Sequence, residues 1–564
     1  MLRFKEEIAS LLAPLIGWEE KEVFLLLEIP PDSEFGDYSF PCFPLARELR
    51  QAPARIAAEL SNKLQGKGRF LKKVEGKGPY LNFYVDEQTL AERIVAEILN
   101  EKGDFGRSSA GSSEVVVIDY SAPNIAKPFG IGHLRSTVIG DALYRIYSAL
   151  GYRCIGINHL GDWGTQFGKL IVAYKHWGEG KGLQDDPVRY LYELYVLFHR
   201  EAEDKPELEE EARFWFKKLE DGDAEALTLW QRFRELSLAE FKRVYEYLGV
   251  NFDYYYGESF YNDRLDATLE MVQQKNIARE SEGALVVDLE QFGLPPCLLR
   301  KKDGATLYAT RDLAAAIYRY EEYRFSQMLY VVGAEQKLHF QQLFSILKLM
   351  GYPWAKKCKH IPFGLIRFPG GRMSTRQGKT IFLEDVVNRA VELAEKIIAE
   401  KNPDLENRKE VAKIVGVGAI KFGDLSNDRI KDIDFDWEKI LDFSGETAPY
   451  IQYSHARIFS ILRKSGGVLA SAELRIITEE ERSLVKTLGF YAESIERAAE
   501  AYKPSILARY LINLAKDFNR FYHNCSVLGA EESLRQSRLL LCAATKQVLA
   551  NGLDLLGIGA PEEM

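Results

Sequence analysis

The chain has no run of about 20 apolar residues, the length that spans a bilayer as a helix, so a membrane protein is not expected. Cysteine is scarce and scattered: Cys42, Cys154, Cys297, Cys358, Cys525 and Cys542 form no CxxC pair and have no histidine at metal-ligand spacing. A zinc site is therefore not expected, and reduced structural thiols are. Excess positive charge is also lacking. A formal charge of -9 argues against a protein that coats nucleic acid, but a local basic face could still hold a folded RNA. The N-terminus MLRFKEEIASLLAPLIGWEEK has neither a basic-then-apolar signal nor an acid-poor, Arg/Ser-rich transit pattern, which predicts residence in the cytoplasm. No internal repeat and no low-complexity tract interrupts the chain.

What is present is ample core material, 46% hydrophobic residues in 564, too many for one core and enough for about three domains. Residues 1–110 read as a small α/β (α+β) unit, with a long amphipathic helix after FGDYSFPCFPLAREL and a strand in GKGPYLNFYVD. GRSSAGSS, at 106–113, has linker composition. EVVVIDYSAPN then predicts a buried strand and a loop. HLRSTVIGDALYRIYSALGY predicts a helix and RCIGINH a second strand, together the unit of a parallel, Rossmann-type sheet. A charged helical insertion is expected over about 175–260, ending in the strand-like NFDYYYGES. The parallel pattern is expected to resume with GALVVDL, a KKDG turn, the helix TRDLAAAIYRYEEY and the strand QMLYVVGA. The core domain thus spans 111–383, and 384–564 reads as helical throughout, ending in an all-α bundle.

SAPNIAKPFGIGHLRST carries the chemistry. A chain that leaves a parallel strand through Gly130 and Gly132 and enters a helix near His133 brings backbone N–H groups and the positive helix end to the phosphate side of the sheet. A dinucleotide fingerprint fails here, because Arg135 stands where GxGxxG needs its third glycine. A lone histidine at a helix start usually caps or packs. Lys127, His133 and Arg135 together gather the cationic and hydrogen-bonding groups that attack on an α-phosphate needs.

These residues resemble the class I aminoacyl-tRNA synthetases, specifically the arginyl enzymes, whose SxPNxAKPxHxGHLRSTxxGD signature corresponds to 121–141. Asp119, Asn124, Ile125, Lys127, Gly132, His133, Leu134, Arg135, Ser136, Thr137 and Asp141 fit that pattern. Gly130 departs from it, standing where the first histidine of HIGH sits. One lost transition-state donor is worth about 10²–10³ in rate against enhancements of at least roughly 10⁶, which implies a slower or compensated enzyme. GGRMSTRQGKT at 370–380 resembles the family's weakened KMSKS loop: Arg372, Met373 and Ser374 match, and Thr375 replaces the second lysine. By itself that segment reads as a solvated basic loop. The resemblance implies catalytic roles for His133, Lys127, Arg372 and Lys379, with Lys127 compensating for the weakened loop, and ATP contacts from Gly130, Gly132, His133, Met373 and Ser374.

A guanidinium is planar and permanently charged, so carboxylates should read it. Asp119 ends the first strand, and Tyr308 and Asp312 share a face if helical. In isolation Asp312 reads as a salt-bridge or first-turn helix charge. The family's YxTRD segment implies guanidinium binding by Tyr308 and Asp312, with Asn124 and Gln336 on the α-amino end. His339, three residues on, has no assigned role. HLGDWGTQFG also resembles the family; His159 and Gln166 are second-rank pocket candidates, while Trp163 and Phe167 are expected to pack.

Tyr450, Tyr453 and Arg457 lie within two helical turns and suit stacking on unpaired bases or, equally, packing in a core. They, LARYLINLAKDFNRFYHNCSVL and the closing GLDLLGIGAPEEM resemble the family's anticodon-binding domain. FGDYSF and GPYLNFYV resemble its N-terminal tRNA-contacting domain. The resemblance implies an arginine–tRNA ligase that uses ATP with Mg²⁺, arginine and tRNA(Arg), with no membrane or DNA partner, as a monomer whose activation step needs tRNA. A silent paralogue that only binds RNA, motivated by Gly130, and a synthetase for another amino acid are the rival readings. Two pocket carboxylates would repel glutamate, and no zinc-ligand set favours cysteine.

Overall fold

The computed structural model describes the chain except residues 126, 128, 179–185, 303, 368–380 and 467–472, and except the side chains of residues 2, 3 and 33. Tyr38–Pro41, Leu71–Lys77 and Tyr80–Val85 form an antiparallel sheet near the N-terminus, with Tyr80–Val85 in the middle. The long helix expected after FGDYSF is two helices, Phe43–Leu49 and Pro53–Leu64. Arg50 turns left-handed and Pro53 can open a helix but not continue one, so the chain breaks between them.

The central sheet has four parallel strands, β1 (Val115–Asp119), β2 (Arg153–Ile157), β3 (Gln327–Tyr330) and β4 (Cys358–His360), in the order β4-β3-β1-β2. Strand order reverses at β1, so a crevice opens beyond its carboxyl end, where this architecture binds ligands. Helix α1 (Leu134–Ala149) returns from β1, burying Leu134, Val138, Leu143 and Ile146. Helices α2 (Tyr308–Tyr323) and α3 (Lys337–Leu349) flank β3.

The insertion is helical as expected, with helices Pro187–Asp204, Glu207–Glu220 and Ala224–Leu248. Asp223 caps the last by accepting from the Ala226 N–H, and left-handed Gly249 ends it. Two strand expectations fail. NFDYYYGES makes a single bridge, Tyr254 to Ile157, and its rings pack on one another instead: Tyr254 on Tyr256 at 4.9 Å and Tyr256 on Phe260 at 4.2 Å. GALVVDL does not extend the parallel sheet. Ala284–Val287 is the middle of a separate antiparallel sheet, between Ala278–Ser281 and Cys297–Arg300.

The C-terminal part is helical, including α4 (Arg408–Leu425), α5 (Ala448–Ser465), α6 (Pro504–Asn524) and α7 (Glu532–Leu555). It is tied to the core through α1. Arg135 donates to Asp424 of α4 at 2.8 Å, Lys421 of α4 reaches Asp141, and Arg145 bridges Asp141 and Asp554 of α7. The expectation that Arg135 lies at the phosphate turn is therefore corrected. Helical residues two apart point about 200° apart, so Arg135 faces away from His133 and is 1% exposed.

Candidate active site

The chain leaves β1 through two consecutive left-handed residues, Ser121 and Ala122, at φ 74° and 49°. Such residues are strained by about 1–2 kcal/mol each when they carry a side chain, so the surroundings must hold them. Ser136 and Thr137 of α1 do this. Ser136 Oγ accepts from the Ser121 N–H and donates to the Val331 carbonyl, tying the exits of β1 and β3 together. Ser121 Oγ lies 2.8 Å from Thr137 Oγ1 and 2.7 Å from the Tyr245 hydroxyl. The motif residues after His133 therefore build the turn.

The turn itself runs through a short 3-10 segment, Ile131–His133. Gly132 is exposed, and a Cβ built there meets nothing within 4 Å among the described residues. No packing reason for this glycine exists among the described residues, and its open side leaves room for a ligand to approach the backbone. His133 stacks on Phe129 at 5.4 Å, and its Nδ1 is buried with no hydrogen-bond partner. Burial, reinforced by the charge of Lys127, pulls the imidazole down to about 4, so at neutral pH it is an uncharged hydrogen-bonding group. Lys127 Nζ sits over the Tyr195 ring of the insertion at 5.6 Å.

Arg372, Met373, Ser374 and Lys379 lie outside the described residues. The chain on either side of them is placed. Ile366–Arg367 pairs with Ile433–Asp434, and Phe382 bridges Gly130, with Ile131 N–H donating to the Ile381 carbonyl and Leu383 N–H to that of Phe129. Residues 381–383 thus lie beside the glycine turn.

Across the crevice a polar chain runs from β1 to α3. Asp119 accepts from Arg319 Nη1 at 2.7 Å, and that guanidinium is buried between the rings of Tyr261 and Tyr330. Arg319 Nη2 lies 3.3 Å from His159 Nδ1, and His159 Nε2 lies 3.7 Å from Asp312 Oδ1. The other Asp312 oxygen is held by His339 Nε2 at 2.6 Å. Burial works to raise the Asp312 carboxyl, but the His339 hydrogen bond and the charges of His339, His159 and Arg319 outweigh it and hold the group below its ordinary value. Tyr308, one turn earlier on α2, is exposed and packs edge-on to His339 at 4.8 Å.

The two carboxylates read from the sequence are thus unlike. Asp119 already holds an internal guanidinium, whereas Asp312 meets imidazoles. Arg319 went unnoticed in the sequence because its partner is 200 residues away. Glu258 was also missed: burial pushes its carboxyl up to about 7, against the charge of Arg311 and with Asp312 and Asp162 opposing its ionisation. Asn124 is half-buried and folded over Gly161, where a Cβ would come within 2.3 Å of its Oδ1. Gln336 is exposed at the N-cap of α3, and Gln166 sits near its own turn, 3.5 Å from the Trp163 carbonyl. Trp163 and Phe167 pack, the first against Trp230 at 5.6 Å.

A family model for the catalytic domain of class I tRNA synthetases (R) matches residues 94–437. Models for the arginyl tRNA synthetase N-terminal domain and the DALR anticodon-binding domain match 2–85 and 451–564. The chain belongs to the arginyl-tRNA synthetase family. It is 49% identical over 567 residues to the arginine–tRNA ligase of Alkaliphilus metalliredigens and 49% identical over 565 residues to that of Clostridium perfringens, with 100% of each chain covered. The arginyl-tRNA synthetase of Thermus thermophilus superposes with a TM-score of 0.86 at 30% identity, each chain covered completely. The Plasmodium falciparum arginyl-tRNA synthetase shares the fold, with a TM-score of 0.81 at 24% identity over 100% of this chain and 99% of that one.

Within the arginyl-synthetase frame, the described residues include no helix long and apolar enough to cross a membrane. In the C-terminal bundle Tyr453 and Arg457 line a cavity of about 640 Å³ with Tyr522 and His523, and the Arg457 guanidinium lies over the rings of Tyr453 and Tyr522 at 4.8 and 5.1 Å. Tyr450 does not line it: its hydroxyl accepts from Asn519, which ties it to α6.

Proposed function

We propose that this chain charges tRNA with arginine in two ATP-dependent steps at the carboxyl edge of the sheet. In the first, the arginine carboxylate attacks the α-phosphorus of ATP, forming arginyl-adenylate and expelling pyrophosphate. In the second, a hydroxyl of the terminal tRNA ribose attacks the adenylate carbonyl, and AMP leaves. Neither step needs a protein nucleophile, so catalysis rests on positioning and charge. The observation that carries the reading is the Asp312 carboxylate, held by His339 at 2.6 Å beside the exposed Tyr308 and joined through His159 and Arg319 to Asp119 at the end of β1.

Asp312 and Tyr308 receive the guanidinium, Asn124 and Gln336 the α-amino end, and Asp119 shapes the pocket floor through Arg319. His159 sits between the two acids. Gly132 and the helix start admit the triphosphate; neutral His133 gives it a hydrogen bond, and Lys127, Arg372 and Lys379 supply charge, with Met373 and Ser374 in the closing segment. Lys127 and that segment also stand in for the contact Gly130 lacks. Mg²⁺ enters with ATP and neutralises phosphate charge. Tyr453 and Arg457 stack on unpaired tRNA bases, with Tyr450 supporting them from behind. The enzyme acts as a monomer in this reading, and six buried thiols suit a reducing cytoplasm. Activation depends on bound tRNA.

The test is aminoacylation of total tRNA with each amino acid, alongside Asp312→Asn. Arginine alone should be charged, and the variant should lose about 10²-fold or more in kcat/KM for arginine, as loss of a charge-assisted pair predicts. Charging by another amino acid, or a fully active variant, overturns the pocket. Equal ATP–pyrophosphate exchange with and without tRNA overturns the tRNA dependence.

A further inference from the structure

We infer that His339 is a positioning residue for Asp312, fixing the plane of its carboxylate for a guanidinium and so setting the preference for arginine over citrulline, its neutral urea isostere. The inference rests on Asp312 being the guanidinium acceptor. A carboxylate that receives a guanidinium through two parallel hydrogen bonds must be coplanar with it. The terminal torsion of an aspartate is broad, so an unassisted Asp312 would sweep through orientations that accept only one bond. His339 removes that freedom. Its Nε2 lies 2.6 Å from Asp312 Oδ2, a short charge-assisted contact, while the ring is itself buried and lodged against Tyr308 at 4.8 Å and Phe340 at 5.2 Å.

The two elements that meet here come from different crossovers. Asp312 is in the second turn of α2 and His339 in the first turn of α3, so the contact also locks the starts of both helices. His159 approaches the opposite oxygen at 3.7 Å, too far for a hydrogen bond and near enough to limit rotation from that side. Each carboxylate oxygen has two lone pairs in the carboxylate plane, so one imidazole on Oδ2 leaves acceptor capacity on both oxygens for the substrate. The hydrogen-bond donor is what matters at this position. Glutamine is the side chain that best mimics it, since its amide nitrogen reaches about where the imidazole Nε2 stands; the informative substitutions are therefore His339→Gln and His339→Leu.

The experiment measures KM for arginine, KM for ATP and kcat in tRNA-dependent ATP–pyrophosphate exchange, plus inhibition by citrulline, for His339→Leu, His339→Gln and Asp312→Asn. His339→Leu should raise KM for arginine by about 10- to 100-fold, the worth of one hydrogen bond to a charged group, with KM for ATP within about twofold. Its ratio of citrulline inhibition constant to arginine KM should fall. His339→Gln should restore most of the arginine affinity, which a purely space-filling role would not predict. The inference is overturned if His339→Leu leaves KM for arginine unchanged, if it moves KM for ATP and kcat as much as KM for arginine, or if His339→Gln is as impaired as His339→Leu. Should His339→Leu fail to fold, His339→Ala takes its place in each comparison, and a His339→Gln as impaired as that variant overturns the inference. Asp312→Asn separates the two levels of reasoning: an unaffected arginine KM there overturns the pocket itself, whereas a raised one beside an unaffected His339→Leu overturns the inference only.

Discussion

Replacing Gly132 by alanine should leave the protein as stable as before and yet disable its use of ATP. The backbone at Gly132 is outside the left-handed region, and an added Cβ meets no atom of the described residues within 4 Å, so these accept the methyl group without strain. The unfolded chain loses freedom, which favours the fold by about 0.4–1 kcal/mol. In a chain of this length that raises the melting temperature by no more than roughly 2 °C. A phosphate oxygen hydrogen-bonded to a backbone N–H of the turn sits about 2.9 Å from nitrogen. A Cβ contact under 3.0 Å is essentially never seen, so a phosphate oxygen packed against the open side of Gly132, where the methyl would stand, must move aside by several tenths of an ångström or more. Misplacement on the order of 1 Å can be worth 10²-fold in rate. The expected result in tRNA-dependent ATP–pyrophosphate exchange is a fall of about 10²-fold in kcat/KM for ATP, with KM for arginine little changed and the melting temperature equal or higher. Wild-type kcat/KM for ATP would mean that the open side of the turn does not face the nucleotide, and the phosphate assignment would go with it.

Two further outcomes follow from buried groups. Asp424→Leu should destabilise the fold by about 3–5 kcal/mol, because it leaves Arg135, 1% exposed, without its countercharge, whereas Arg135→Met with Asp424→Leu should be much milder; additive losses in thermal unfolding would refute the pairing. The His133 imidazole has a folded value of about 4 against an ordinary 6.5, so the unfolded chain binds the extra proton between those values and this residue's contribution to stability is lost as pH falls from 6.5 towards 4. Relative to His133→Gln the wild type should therefore lose melting temperature across that window, and a constant gap would count against a neutral imidazole with its Nδ1 buried.

The parallel core was legible because VVVID, RCIGI and QMLY are short apolar runs buried on both faces, bounded by turn residues. Cys358–His360 was not, since three residues with a lysine between them carry no period at all. GALVVDL shows where that signal stops: four apolar residues look alike in a parallel or an antiparallel partner, and only tertiary context chose the latter. Site residues divide by the same logic. Those within one motif, from Asn124 to Thr137 and from Tyr308 to Asp312, could be named from the family resemblance their motifs carry. Arg319 and Glu258 owe their importance to partners brought in from other segments, and no local pattern marks them. Arg135 was misread because proximity in sequence to His133 hides opposite directions around the helix.

That reversal has a mechanical meaning. Helix α1 begins at the glycine turn, and along it Arg135, Asp141 and Arg145 recur at a spacing of six and four residues, each engaged with α4 or α7 of the C-terminal bundle. The turn proposed to approach phosphate is thus the end of a helix that is bonded into the domain that also holds Tyr453 and Arg457. Buried charges suit such a joint. Apolar packing would resist separation but allow sliding, whereas an ion pair between nearly unexposed partners tolerates little displacement before either charge is left uncompensated. Asp424 gives the joint further tension: burial pushes its carboxyl up to about 6 against the opposing charge of Arg135, so the ionised pair at neutral pH depends on the guanidinium staying in place. A small shift of α4 when the bundle takes up its tRNA would therefore be felt at Arg135, two residues from His133. The proposed dependence of activation on tRNA needs a connection of this kind, and α1 joins the glycine turn to the bundle through these ion pairs.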